Sequence, residues 1–149
     1  GESRAVTDPQ RVVIDTSTLV GAVLRPASVP RQAFLAAVSA HELCVSPATL
    51  DELRRVLGRA KFDRYAPRQQ RMDFWELVAK HSRLWEIDAT SAQAATGACR
   101  DAKDDKFLAL ALACEAAILV SSDGDLLVLH PWRDVQILTP AAFLQREGR

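Results

Sequence analysis

Short, continuously apolar segments alternate along the chain with longer segments of helical periodicity. The apolar segments lie at residues 11–15, 43–45, 84–87, 117–120 and 135–138. Uninterrupted apolar runs of this length are typical of strands that are buried on both faces, as in parallel sheets. The helical segments between them supply the crossover connections that parallel strands need. The sequence therefore predicts an α/β fold with a central parallel sheet of about four to five strands, flanked by helices.

Several of the helical segments begin with strong start signals. Ser46-Pro47 and Thr139-Pro140 each place a hydroxyl N-cap before a proline at the first helical position. The segment from Asp104 to Ala116 is apolar nearly all round and should be buried. Helices are expected at residues 19–24, 33–40, 47–57, 67–81, 91–98, 104–116, 126–129 and from 140 onwards.

The size and charge of the chain limit its class and its ligands. The 149 residues suffice for one domain with a real core. The 19 basic and 19 acidic side chains give a net charge of zero, so the chain has no overall attraction for nucleic acid. Net charge alone slightly favours a ligand other than nucleic acid. Phosphate binding would need local positive charge or a metal ion.

The cysteines and the start of the chain indicate where the protein resides. Cys44, Cys99 and Cys114 form no C-x-x-C pair and stand among apolar or small residues, which predicts reduced, buried thiols in a cytoplasmic protein. No apolar run is long enough to span a membrane. The start Gly-Glu-Ser is typical of a tag remnant, so residues 1–10 are excluded from the predicted fold.

Acidic residues stand where a parallel sheet would gather them. Asp15 ends the first apolar run, and Asp123 follows the run at 117–120. Asp104 and Asp105 open a buried helix, and Glu52 lies on another. The crevice outside the carboxyl ends of the strands is the usual binding site of such a sheet. Carboxylates gathered there suit hard cations such as Mg²⁺ or Mn²⁺, and without a cation their repulsion should leave one or more protonated.

Each of these acids also has a purely structural interpretation. Asp15 and Asp123 are common residue types in turns, and an acid at position 104 or 105 favours a helix N-terminus through the helix dipole. Glu52 could pair with Arg55 on the surface of its helix. The argument for a site therefore depends on their conjunction at one edge of the sheet.

The spacing of the acids excludes two other acid-based sites. Ser17 stands where a haloacid-dehalogenase-type phosphatase needs its second Asp. A response-regulator receiver needs a lysine late in the chain, and none follows Lys106. The chain also has no P-loop, no G-x-G-x-x-G motif and no histidine–cysteine zinc pattern.

Four stretches of the chain resemble the PIN-domain family. They are VVIDTS at residues 12–17, PATLDEL at 47–53, CRDAKDDKFL at 99–108 and VSSD at 120–123. The third stretch is the most specific of them, and the resemblance runs from Arg11 to Leu144. The branch that the chain most resembles holds the VapC-like toxin components of bacterial toxin–antitoxin systems.

The resemblance implies a PIN-like three-layer domain over residues 11–146 that cleaves RNA with Mg²⁺ or Mn²⁺. The family's acidic quartet matches Asp15, Glu52, Asp104 and Asp123. Asp105 is a further candidate metal ligand. Whether Asp104 or Asp105 is the main third ligand stays open, and the resemblance favours Asp104, because the second position is more permissive in this branch. Ser17 and Ser121 stand where the family often carries Asn and Thr, and they are expected to support the ligands by hydrogen bonds.

The resemblance also implies partners. An antitoxin protein would lay a helix or an extended segment over the cleft, and a homodimer is implied. Arg25, Arg54 and Arg100 are candidates for contacts with RNA phosphates, or are ordinary surface charges. The rival hypothesis is a catalytically weak module of the same fold that binds RNA or protein without cutting, and the presence of all four acids argues against it.

Overall fold

The computed structural model describes residues 8–148, and residues 1–7 of the expected tag remnant lie outside this range. Within it, one sheet contains five strands, all paired in parallel in the order β3-β2-β1-β4-β5. The strands are β1 Arg11–Ile14, β2 Glu42–Val45, β3 Ser82–Leu84, β4 Ile118–Val120 and β5 Gln136–Leu138. This confirms the predicted α/β fold with a central parallel sheet.

Helices connect the strands on both faces of the sheet. They are α1 Thr16–Leu24, α2 Val29–Ala40, α3 Pro47–Leu57, α4 Arg68–His81, α5 Ala89–Ala95, α6 Asp105–Ala113, α7 Gly124–Leu127 and α8 Pro140–Arg146. Ser46 and Thr139 cap α3 and α8 as the sequence predicts, each with proline at the start of the helix. Within the described range, no helix is long and apolar enough to cross a membrane.

The alternation of side chains along the strands divides the core into two halves. Val12 and Ile14 face the half that is covered by α1, α2, α3, α4 and α8. Val13 and Leu119 face the half that contains α5, α6 and α7. Side chains of successive strand residues point to opposite faces, so each short strand serves both halves. The result is a three-layer arrangement with the sheet in the middle.

Strand β3 begins earlier than the apolar run at residues 84–87 indicates. Its register is set by hydrogen bonding to β2, which places Ser82 opposite Leu43 and Leu84 opposite Val45. Because β3 is an edge strand with exposed residues, it needs no apolar run of its own. Trp85 extends the pairing by donating its N–H to Val45 O at 2.8 Å, and it packs against the core after the strand has ended.

Arg71, a fully buried charged residue of α4, fastens the end of α3 in place. Its Nη1 donates to Leu57 O at 2.9 Å and to Arg59 O at 3.0 Å, and its Nη2 contacts the Asp63 carboxylate. The bonds to α3 matter for the site because the same helix carries Glu52.

Arg71→Met is expected to lower the free energy of unfolding by about 3 kcal/mol, because it leaves the buried carbonyl of Leu57 and the partly buried carbonyl of Arg59 without their donor. Chemical denaturation measures the effect. The matched control is Arg68→Met, which removes an exposed bond from Arg68 Nη1 to Gly58 O and should cost less than about 1 kcal/mol. Equal midpoints for the two variants would contradict the assignment.

Candidate functional site

A cavity of about 210 Å³ opens where β1 and β4 end. Its wall contains the four acids that match the family quartet, together with a fifth, Asp101. The lining residues are Asp15, Thr16, Ser17, Glu52, Val56, Asp101, Lys103, Asp104, Phe107 and Asp123. The structure thus brings together side chains that are separated by more than a hundred positions in the sequence.

Larger cavities lie elsewhere but contain no comparable group of acids. One of about 430 Å³ is lined by Arg11, Glu42 and Glu115 among others, near the amino ends of the strands. Its Glu42 is already ion-paired, with Nε of Arg11 at 3.3 Å and Nη1 of Arg83 at 3.6 Å. Chemistry rather than volume therefore identifies the smaller cavity as the candidate site.

Asp15 is buried at the junction between β1 and α1. Its Oδ1 caps α1 by accepting from Thr18 N at 3.0 Å, and its Oδ2 accepts from Ser121 Oγ at 2.5 Å. Burial raises the pKa of Asp15 from its ordinary value, and the hydrogen bonds from Ser121 and Thr18 oppose that rise. The carboxylate is therefore fixed in orientation by two donors from different elements.

Ser121 connects Asp15 with the loop that carries Asp123. Its Oγ donates to Asp15 Oδ2 and accepts from the backbone N–H of Asp123 at 2.9 Å. Ser17 is exposed, and its Oγ lies 3.4 and 3.5 Å from the two oxygens of Asp15, so its support is weaker. Of the two serines expected to support the ligands, Ser121 makes the stronger contact.

If the chain cleaves RNA as the family resemblance implies, Ser121→Ala is expected to reduce that activity by about 10- to 100-fold, because the orientation of Asp15 loses its shortest hydrogen bond. Steady-state rates of RNA cleavage measure the effect. The matched control is Ser122→Ala, since Ser122 is exposed, does not line the cavity and is the next residue along the chain. A loss in the Ser122 variant as large as in the Ser121 variant would contradict this role.

Asp104 lies beside other acids of the cavity, and their charges add to the effect of burial on its pKa. Burial raises the pKa of Asp104 to about 7, with further contributions from a hydrogen bond to Asp123 and from the charges of Asp123, Asp101 and Asp15. The direction of this shift, toward the protonated form of Asp104, is the one that the sequence argument predicts for acids gathered without a cation.

Glu52 stands on the other side of the cavity with both oxygens already engaged. Its Oε1 accepts from Lys106 Nζ at 2.6 Å, and its Oε2 accepts a short hydrogen bond from Thr16 Oγ1. The side chain is 13% exposed. The surface pairing with Arg55 that the sequence left open is not among the ion pairs of the described residues.

Asp105 is turned away from the cavity. Its Oδ1 accepts from Cys99 N at 3.0 Å and its Oδ2 accepts from Gly97 N at 2.9 Å, so its carboxylate fastens the loop before the site. Asp105 lines a different cavity, with Ile87 and Ala109. Between the two candidates for the third ligand, the geometry favours Asp104.

Sequence reasoning missed three residues that the structure places at the site. Asp101 lines the cavity and raises the pKa of Asp104. Thr16 and Lys106 hold Glu52. Asp101 and Lys106 belong to the CRDAKDDKFL stretch, and Thr16 directly follows Asp15. Their closeness in sequence to predicted site residues is the signal that could have identified them.

The candidate arginines lie outside this cavity. Arg25 lines a neighbouring cavity of about 330 Å³, which also contains Ser17 and Ser122. Arg54 stacks on the ring of Trp75, with 5.2 Å between its Cζ and the ring centroid. Arg100 is exposed, and Lys103 is the basic residue on the cavity wall itself.

The residues of the cavity suit a hard divalent cation. Asp104 Oδ2 is buried without a hydrogen-bond partner, a costly arrangement that a bound cation would relieve. The surrounding donors are carboxylate and hydroxyl oxygens, which Mg²⁺ and Mn²⁺ prefer. Among residues 8–148, no three acidic, histidine or cysteine side chains already stand as a complete metal-binding group. Mg²⁺ does not require one, because it keeps several waters and binds through few carboxylates.

Comparisons with known proteins agree with this fold. The family model described as PIN domain matches residues 11–125, which include all four acids of the quartet. No curated protein sequence matches the chain.

Several solved structures are similar to this chain, including VapBC2, VapC20 and FitAcB. VapBC2 from Rickettsia felis, bound to a promoter DNA fragment, has a TM-score of 0.61 at 12% identity, covering 85% of this chain and 96% of that one. VapC20 from Mycobacterium tuberculosis, a sarcin–ricin loop cleaving toxin, has a TM-score of 0.56 at 15% identity, covering 84% of this chain and 98% of that one. FitAcB from Neisseria gonorrhoeae has a TM-score of 0.55 at 19% identity, covering 87% of this chain and 98% of that one. The structures share the fold, and the family match covers most of the sequence: the chain belongs to the PIN domain family.

Proposed function

We propose that this protein is a metal-dependent endoribonuclease that hydrolyses phosphodiester bonds of RNA. The observation that carries the proposal is the meeting of Asp15, Asp104 and Asp123 in one small cavity, where burial and the charges of the neighbouring acids raise the pKa of Asp104 to about 7. Such a concentration of negative charge is unfavourable for the protein alone and becomes favourable when a divalent cation is bound.

The biological role that we infer is that of the toxin in a toxin–antitoxin pair. VapC20 is described as a toxin that cleaves the sarcin–ricin loop. The names VapBC2 and FitAcB each indicate a complex of two proteins. By analogy, this chain would act on RNA in the cytoplasm, form a homodimer and be covered by an antitoxin protein.

Asp15 and Asp104 would hold the cation, with Asp123 and Glu52 acting through water or by orienting other groups. The chemistry that a bound Mg²⁺ or Mn²⁺ supplies in such a site is activation of water and neutralisation of charge on the phosphate. It also accounts for RNA binding by a chain of zero net charge, since the attraction for phosphate is local.

The protein's own groups prepare the site before substrate arrives. Ser121 and Thr18 orient the two oxygens of Asp15. A cation held by Asp104 would favour the ionised form of this carboxyl group and so oppose the rise in pKa that burial causes. Thr16 and Lys106 hold Glu52 at the wall.

Cleavage of a mixed RNA pool in the presence of Mn²⁺, Mg²⁺ or EDTA tests the proposal. The expected result is metal-dependent fragments that disappear when EDTA is present. Cleavage that EDTA leaves unchanged would contradict metal dependence. If the folded protein retains RNA on a filter but produces no fragments with either metal, the nuclease proposal fails. The rival hypothesis, a module that binds RNA without cutting it, is then favoured.

A further inference from the structure

We propose that Lys106 is a positioning residue, which keeps Glu52 at the cavity wall and out of direct contact with the cation. This inference rests on the proposed function, because it assigns a role in metal binding and RNA cleavage to a residue outside the acidic quartet. It makes a specific claim: Lys106 weakens metal binding while it raises the cleavage rate.

The contacts of Lys106 are short, and the one with Glu52 is partly buried. Its Nζ donates to Glu52 Oε1 at 2.6 Å and to the backbone O of Lys103 at 2.5 Å. The side chains of Lys106 and Glu52 are 25% and 13% exposed. The pair therefore connects the first turn of α6 with the middle of α3, and screening by salt should be weak.

The ion pair sets Glu52 apart from the other acids of the quartet. Glu52 is the quartet member with a cationic partner among the ion pairs of residues 8–148. Its second oxygen accepts from Thr16, which follows Asp15 directly. Asp104, in contrast, has a buried oxygen without any partner. Glu52 is thus satisfied by the protein, whereas Asp104 is not.

Two effects of opposite sign follow from this arrangement. The ammonium group repels a nearby divalent cation and neutralises the carboxylate that would otherwise attract it, so it lowers metal affinity. The same ammonium group fixes the position of Glu52 and through it Thr16, beside Asp15. Without Lys106, Glu52 is free to turn toward the cation, and the metal is bound more tightly but in a poorer geometry for cleavage.

The test compares Lys106→Met with the unmodified protein in two measurements. Mn²⁺ binding without RNA, followed by electron paramagnetic resonance, should become about fivefold tighter. The kcat for RNA cleavage should fall by about 10- to 100-fold. Lys106→Arg keeps the charge and should recover most of the lost kcat. Lys80→Met, on an exposed lysine of α4, controls for general charge and should change neither value.

Weaker Mn²⁺ binding together with a lower melting temperature would show a merely structural role for Lys106 and overturn the inference. Unchanged affinity and unchanged kcat would overturn it as well. If Lys106→Met does not fold, Lys106→Gln is measured instead, with the same expected signs. If the unmodified protein binds Mn²⁺ but cuts no RNA, the proposed function fails, whereas tighter Mn²⁺ binding by the variant would still support the antagonism between Lys106 and the metal.

Discussion

Asp104→Asn is expected to lower the rate of metal-dependent RNA cleavage by about a thousandfold, or about 4 kcal/mol of transition-state stabilisation, without unfolding the protein. The substitution preserves size and removes one negative charge at the position where a buried oxygen has no partner. Single-turnover cleavage of labelled RNA measures the rate, and circular dichroism checks the fold.

The neighbouring Asp105→Asn is the matched control. Asp105 holds Gly97 N and Cys99 N and does not line the cavity, so its variant should lose some stability and keep activity within about tenfold. A thousandfold loss in the Asp105 variant, with full activity in the Asp104 variant, would reverse the assignment of the third ligand.

The same Asp104 variant has an expected effect on the pH dependence of stability in EDTA. The pKa of Asp104 is about 7 in the folded protein and near its ordinary value of 3.8 when unfolded, so the folded state binds more protons between these values. The contribution of the Asp104 carboxyl group to the free energy of unfolding is therefore fully present below pH 3.8 and is lost as the pH rises through 7. Asp104→Asn should flatten that decline, and an identical decline in both proteins would contradict the raised pKa of Asp104.

Asp15→Asn is expected to reduce cleavage by a similar factor, about a thousandfold. Asparagine keeps an oxygen that accepts from Thr18 N and so preserves the cap of α1, but it removes the charge that would hold the cation. The loss should therefore appear in activity and in metal affinity rather than in folding.

Asp88→Asn is the control for the capping role of Asp15. Asp88 caps α5 in the same manner, accepting from Ser91 N at 3.0 Å and from Ser91 Oγ at 2.7 Å, and it does not line the cavity. Its substitution should leave cleavage unchanged. Full activity of the Asp15 variant would remove Asp15 from the site, and an equal loss in both variants would indicate an effect on folding.

Much of the fold follows from the sequence because short strands buried on both faces leave a simple pattern. Val12 to Ile14 and Ile118 to Val120 are continuous apolar runs, and they occupy the inner strands β1 and β4. The edge strand β3 has no such pattern, because pairing with β2 rather than burial decides where it begins.

The site was less accessible to sequence reasoning, because side-chain direction depends on tertiary contacts. Asp104 and Asp105 are adjacent and chemically identical, yet one faces the cavity and the other binds the loop before it. Nothing in their order along the chain distinguishes them. The ion pair between Glu52 and Lys106 joins residues 54 positions apart and could not be read from either helix alone.

Mn²⁺ binding to the unmodified protein and to Asp104→Asn, in the absence of RNA, tests the central claim most directly. Electron paramagnetic resonance at pH 8 separates free from bound Mn²⁺ without any need to know the RNA substrate. The account predicts a saturable site in the unmodified protein that is weakened by about 10- to 100-fold in the variant. Equal Mn²⁺ binding by both proteins, or none by either, would contradict a metal site at this cavity.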